Sequence, residues 1–110
     1  MKFMVIASMK DAAATMPATV LRPLWEANVE HVDKAVKAGK ILGVYPTVGW
    51  GRVITIEEHN SAEEMSKHLG TSPMGAFVNF EVYPLADWKE SANIMLEMLK
   101  AAEKMIPAPE

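Results

Sequence analysis

Cysteine is absent from this chain of 110 residues, which excludes disulfides, thiolate nucleophiles and any cysteine-ligated zinc or iron–sulfur centre. Arginine is nearly absent too, with Arg22 and Arg52 the only two. The formal net charge is −3, so the chain lacks the basic face that nucleic acids require, and no nucleic-acid partner is expected. No apolar run approaches the length of a bilayer span, and no membrane partner is expected. The opening MKFMVIASMK is apolar only from Phe3 to Ala7 and is closed by Ser8 and Lys10. It reads as a first strand rather than a secretion signal, and the expected location is the cytoplasm.

What is present is ordinary for a globule: 50% hydrophobic and 23% charged residues. The length suits one domain, taken as residues 1–106, with an exposed C-terminal tail at 107–110 carrying Pro107 and Pro109. After the first strand, DAAATMP reads as a small-residue loop or frayed turn. A helix is expected from Arg22, with Pro23 in its first turn, to Gly39. ILGVYPTV and RVITIEE form a hairpin about Gly49-Trp50-Gly51. Ser61 and Glu64 make a capping box that opens a short helix ending near Gly70. GAFVNFEVY is the fourth strand, and Asp87 with Glu90 opens a last helix reaching about Met105.

The order β-α-β-β-α-β-α predicts an α+β, ferredoxin-like β-α-β-β-α-β protomer with an extra C-terminal helix and a four-stranded antiparallel sheet. Alternation in the strands assigns Val78, Phe80 and Val82, Leu42, Val44 and Val48, and Ile54 and Ile56 to the core. Apolar stripes at Leu21, Trp25, Val29, Val32 and Val36, and at Trp88, Met95, Leu99, Ala102 and Ile106, predict that both long helices cover that face. The opposite face then carries Phe77, Asn79, Glu81, Tyr83, Ile41, Tyr45, Thr47, Val53 and Thr55. Such an aromatic and polar mixture, almost free of lysine, resembles an interface core. A homodimer or higher homo-oligomer, paired through this sheet face, is expected.

From Gly39 to Leu85 the chain resembles the muconolactone isomerase-like family of dimeric α+β barrel proteins. The resemblance rests on Gly39 closing the helix, Gly49 in the hairpin, Ser61 and Glu63 at the next helix start, Pro73, and the EVxxL run of Glu81, Val82 and Leu85, in ungapped register over 47 residues. It implies the dimeric α+β barrel fold and a small cofactor-independent enzyme that catalyses a proton shift, isomerisation or cyclisation. The same fold also hosts cofactor-independent monooxygenases and non-catalytic binding or assembly proteins. The second strand, Ile41 to Pro46, has no charge where the isomerase carries basic and imidazole groups, and Ser66 stands where it has a histidine. Both differences point to a largely apolar, oxygenated small molecule rather than an acidic lactone.

Asn28 falls inside the apolar stripe of the first long helix, where a buried amide must find partners. It is expected to be either a helix-to-backbone hydrogen-bonding group or a pocket donor holding an oxyanion. His31, one turn on, and His68, beside Met65 and Leu69, are the candidates for moving a proton, each also readable as a packing side chain. His59, in EEHNS, is expected to face solvent. Trp25, Tyr45, Trp50, Arg52 and Met65 complete the expected substrate-binding set. The three histidines have neither HxH nor HxxxH spacing, so no metal and no cofactor is assigned. Glu81 is expected to pair with Arg52 or Lys89 if buried.

Overall fold

The computed structural model describes residues 1–105; Ile106 and the expected tail lie outside them. The strands are β1 (Lys2–Met9), β2 (Ile41–Pro46), β3 (Val53–Glu58) and β4 (Val78–Leu85). The helices are α1 (Asp11–Ala14), α2 (Ala18–Lys37), α3 (Ala62–Gly70) and α4 (Trp88–Met105). All neighbouring strands are antiparallel, in the order β2-β3-β1-β4. This is the ferredoxin-like arrangement that the element order predicts.

Helix α2 starts four residues before the expected Arg22. Pro17, extended at φ −62°, acts as its N-cap, and its carbonyl accepts from Val20 and Leu21 at 2.9 and 3.0 Å. Pro23 therefore lies in the second turn, where its missing N–H removes one intrahelical bond. The far end closes as expected on Gly39 at φ +75°. There the Lys40 N–H reaches the Ala35 carbonyl at 2.9 Å and the Gly39 N–H reaches Val36 at 3.1 Å, the paired bonds of a Schellman closure. Ser61 caps α3 by accepting from the Glu64 N–H at 3.1 Å. The Glu64 carboxylate reaches back to the Asn60 N–H rather than to that of Ser61. Lys40, 2.9 Å from Glu64, ties α3 to the start of β2 and holds the Glu64 carboxyl below its ordinary pKa.

Strand register corrects the face assignment. Phe3 pairs with Glu57, Val5 with Thr55 and Ala7 with Val53, so Val53 and Thr55 lie on the helix-covered side. Ile54 and Ile56 turn outward, opposite Ile6 and Met4. In β2 a bulge between Ile41 and Gly43 shifts the alternation and brings Ile41, Val44 and Pro46 to the covered side together. The alternation of Ile54 and Ile56 with Thr55 and Glu57 favours the opposite phase; pairing with β1 overrides it. Val78 and Phe80 are on the covered face as expected, across from Met9 and Ala7. The core is compact and local: Phe3, Val5 and Met65 are buried, with Leu69 and Phe80 packed against them.

The expectation that α4 covers the sheet is not met. Asp87 caps it, with Oδ2 accepting from the Glu90 N–H at 3.0 Å, but none of its residues is buried. Trp88, Met95 and Leu99 are exposed by 73%, 55% and 55%. The chain spans 72 Å, and its radius of gyration of 19.6 Å exceeds the roughly 13 Å of a compact chain this long. Helix α4 therefore extends away from the body of its own protomer. No described helix is long and apolar enough to cross a membrane.

Candidate active site

Between the covered sheet face and helices α2 and α3 lies a cavity of about 890 Å³. Its walls are mostly apolar, among them Val5, Leu21, Val44, Leu69 and Phe80. Polar groups gather at one end, where β3 and α3 meet.

The centre of that end is Glu57, 2% exposed. A carboxylate so deep requires donors. Thr55 Oγ1 donates to its Oε2 at 2.5 Å, while Oε1 stands 3.0 Å from His59 Nε2 and 3.4 Å from His68 Nε2. Thr55, Glu57 and His59 are alternate residues continuing one strand face, so β3 delivers all three to the same side. His59 is thus buried, at 2% exposure, and not in solvent as expected. Its backbone N–H is bound by the Met1 carbonyl at 3.0 Å, which prolongs the pairing of β1 with β3 and pulls the ring inward.

His68 comes from α3 and His31 from α2, and their rings stack with centroids 4.8 Å apart and planes at 21°. The His59 ring lies 5.3 Å from His68. His59 and His68 therefore share one carboxylate, and His31 joins the cluster through its stack on His68. Burial lowers the His68 pKa below its ordinary value, the Glu57 carboxylate opposes that, and His31 and His59 reinforce it. A neutral imidazole with one nitrogen fixed on a carboxylate leaves its other nitrogen to act as a base. His31 Nε2 is buried with no hydrogen-bond partner.

Asn28, one turn before His31, faces the same cavity. Ser72, just past the end of α3, donates its hydroxyl to Asn28 Oδ1 at 2.8 Å. With the amide oxygen occupied, the amide nitrogen is the group left to donate. The partner of Asn28 is a side chain rather than backbone. The pairs Asn28–Ser72 and His31–His68 are successive rungs between α2 and the α3 region, separated along α2 by about 5 Å. An amide donor and two imidazoles thus line the same cavity.

Trp25 and Trp50 also line the cavity, at its far end, in an edge-to-face pair with centroids 6.0 Å apart. The structure does not bring the other three expected substrate contacts there. Tyr45 is 61% exposed on the outer sheet face, its ring folded over Gly43, where an added Cβ would come within 2.7 Å of it. Met65 is core, 2% exposed. Arg52 serves the hairpin, its backbone N–H donating to Thr47 Oγ1 at 3.1 Å and its carbonyl accepting from the Thr47 N–H at 2.8 Å. Glu81 is exposed and accepts from the Tyr83 hydroxyl at 2.8 Å, which raises the Tyr83 pKa, so it needs neither Arg52 nor Lys89.

Sequence reasoning missed Glu57, Thr55 and His59 as site residues. The alternation T-x-E-x-H was visible, but only the correct strand phase turns it inward. Among the described residues no group of three or more His, Asp or Glu side chains is placed to hold a metal ion.

No curated protein sequence matches the chain. Among solved structures it is similar to 5-chloro-2-hydroxyhydroquinone dehydrochlorinase from Burkholderia phenoliruptrix AC1100, in complex with 2,5-dihydroxybenzoquinone. The TM-score is 0.63 at 18% identity, over 82% of this chain and 98% of that one. At that identity the likeness establishes the fold. The model of the muconolactone delta-isomerase family matches residues 1–91, every strand and the helices that bound the cavity included. A match over so much of its length shows that the chain belongs to the muconolactone delta-isomerase family.

Proposed function

We propose that this protein is a small enzyme that moves a proton on a largely apolar, oxygenated small molecule, using its own side chains for acid–base chemistry. The observation that carries this reading is the buried Glu57–His68 contact at 3.4 Å, beside the Asn28 amide that Ser72 orients. His68 would remove a proton from a carbon next to a carbonyl. The Asn28 amide N–H would donate to the carbonyl oxygen as charge gathers there. Glu57 would stabilise the imidazolium until the same proton returns to a different carbon, completing an isomerisation with no net change in charge or oxidation state. Stacked on His68, His31 would hold the plane of that imidazole.

The test is deuterium wash-in at the carbons next to the carbonyl of β-tetralone, a neutral bicyclic ketone, followed by NMR. Wild-type protein accelerates the exchange, and Asn28→Ala slows it about 100-fold while leaving the melting temperature nearly unchanged. No acceleration by the wild type would end the isomerase reading. Oxygen uptake on a polyphenol panel would favour a cofactor-free monooxygenase instead.

The reading includes a homodimer. The outer sheet face carries Met4, Ile6, Ile54 and Ile56 between Tyr45 and Tyr83. An uncovered apolar face of this kind is uncommon on a monomer. A second copy, face to face, would cover it without any other partner.

A further inference from the structure

The site holds two features that acid–base chemistry alone does not require: a tryptophan pair at the end remote from Glu57, and a described lining that sets no arginine or lysine beside Glu57. Trp50 occupies the hairpin tip at φ +61°, following Gly49 at φ +87°. Positive φ is unfavourable for a bulky side chain and persists only where neighbouring structure imposes it. Here the tip is held by the Trp50 N–H on the Thr47 carbonyl at 2.9 Å and by the Thr47–Arg52 bonds. The result places the indole against Trp25 of α2, over the cavity, although it is 62% exposed. A strained aromatic, half out in water yet bent over an apolar chamber, is poorly explained as core packing.

The charges argue separately. The charged side chains lining the cavity besides the histidines are Glu57, Asp33 and Arg22. Arg22 is bound to Glu26 at 3.1 Å with most of its side chain in solvent, and Asp33 to Lys37 at 2.8 Å. Burial keeps His68 toward its neutral form. A carboxylate on the ligand would lose its hydration and meet Glu57 at the polar end, while Arg22, the one cation of the described lining besides the histidines, lies more than two turns of α2 before His31 with most of its side chain in solvent. Size adds a third constraint. About 890 Å³ lies at the upper end of the roughly 300–1,000 Å³ typical of sites for drug-sized ligands, more than one small ring fills.

We infer that the substrate is an uncharged, flat, oxygenated molecule of more than one ring, and that Trp50, by closing its indole face over the ring system against Trp25, is a specificity-determining residue of this site. The inference rests on the cavity being the substrate site, as proposed above. The aromatic pair supplies stacking surface that favours planar ligands, and the polar end selects for a neutral carbonyl or hydroxyl rather than an acid.

Equilibrium dialysis of the full chain with aloe-emodin and rhein tests this directly. These two hydroxylated anthraquinones share one flat skeleton and differ in that rhein carries a carboxylate. The expected result is aloe-emodin bound about tenfold or more tightly than rhein. Trp50→Ala, at an exposed turn that leaves the core intact, should weaken aloe-emodin by about fivefold to tenfold. Equal affinity for the two ligands overturns the charge assignment, and unchanged binding by Trp50→Ala overturns the role of the indole. The deuterium exchange of β-tetralone is scored independently. Selective binding without exchange would sink the proton-shift reading alone, whereas exchange with no ligand selectivity would sink this inference alone.

Discussion

Two opposing influences act on the His68 imidazole. Burial disfavours its charged form, while the Glu57 carboxylate 3.4 Å away favours it, and burial prevails. If His68 is the base, exchange activity rises with pH through its pKa, and the acid limb falls below the ordinary histidine value of about 6.5. Glu57→Gln deletes the influence that raises the pKa, so the limb should move to still lower pH while the maximum rate falls about tenfold or more. A limb that moves to higher pH would show that the carboxylate does not face the catalytic imidazole. The same shift has a consequence for stability. Since the folded state holds the His68 pKa below its unfolded value, the unfolded chain binds more protons in the interval between the two. Stability contributed by this group is present above about pH 6.5 and is lost as pH falls through that interval. Thermal melts at descending pH should show the loss in wild type and a smaller one in His68→Gln, an uncharged replacement.

At the scale of elements, the ends of helices carry much of the specification. Gly39 has open space around its absent side chain, so Gly39→Ala meets no clash and reports the backbone alone. At φ +75° an alanine is strained, and urea unfolding should show a loss of about 1 kcal/mol. Ser61→Ala, which removes the 3.1 Å cap on the Glu64 N–H, should cost a similar amount, about 1 kcal/mol. The Ser61 cap bears on the site as well, because α3 is the element that carries His68 to Glu57. These signals were legible because capping chemistry is local: serine before Ala-Glu-Glu and glycine after Lys-Ala have the same meaning in any surroundings. Strand phase is not local. Within RVITIEE the local alternation favours Ile54 and Ile56 inward, the phase that pairing with β1 overturns, and so Thr55 and Glu57 escaped notice.

The whole molecule presents more apolar surface than one protomer covers. Met4, Ile6, Ile54 and Ile56 lie on the outer sheet face, and α4 projects with Met95 and Leu99 in solvent. A helix amphipathic along 18 residues with none of them buried leaves its apolar stripe uncovered by its own chain. If the sheets pair, Ile54→Lys places a charge at the centre of that face and should convert the assembly to monomers, read by sedimentation equilibrium. Unaltered mass would remove the sheet face from the interface. Within one chain the cavity is lined by the sheet, α2, α3 and the tip of the β2–β3 hairpin.

By itself the sequence determined the order of the elements and the caps and turns that bound them. These follow from short-range periodicity and backbone chemistry, which act over a few residues. Only the tertiary structure decided that Glu57 is the buried hub, that His59 joins it, and that Tyr45, Arg52 and Met65 stand apart from the cavity. It also decided that α4 leaves its own sheet uncovered. Strand pairing and the bulge in β2 set those outcomes, and both depend on residues brought together from distant parts of the chain.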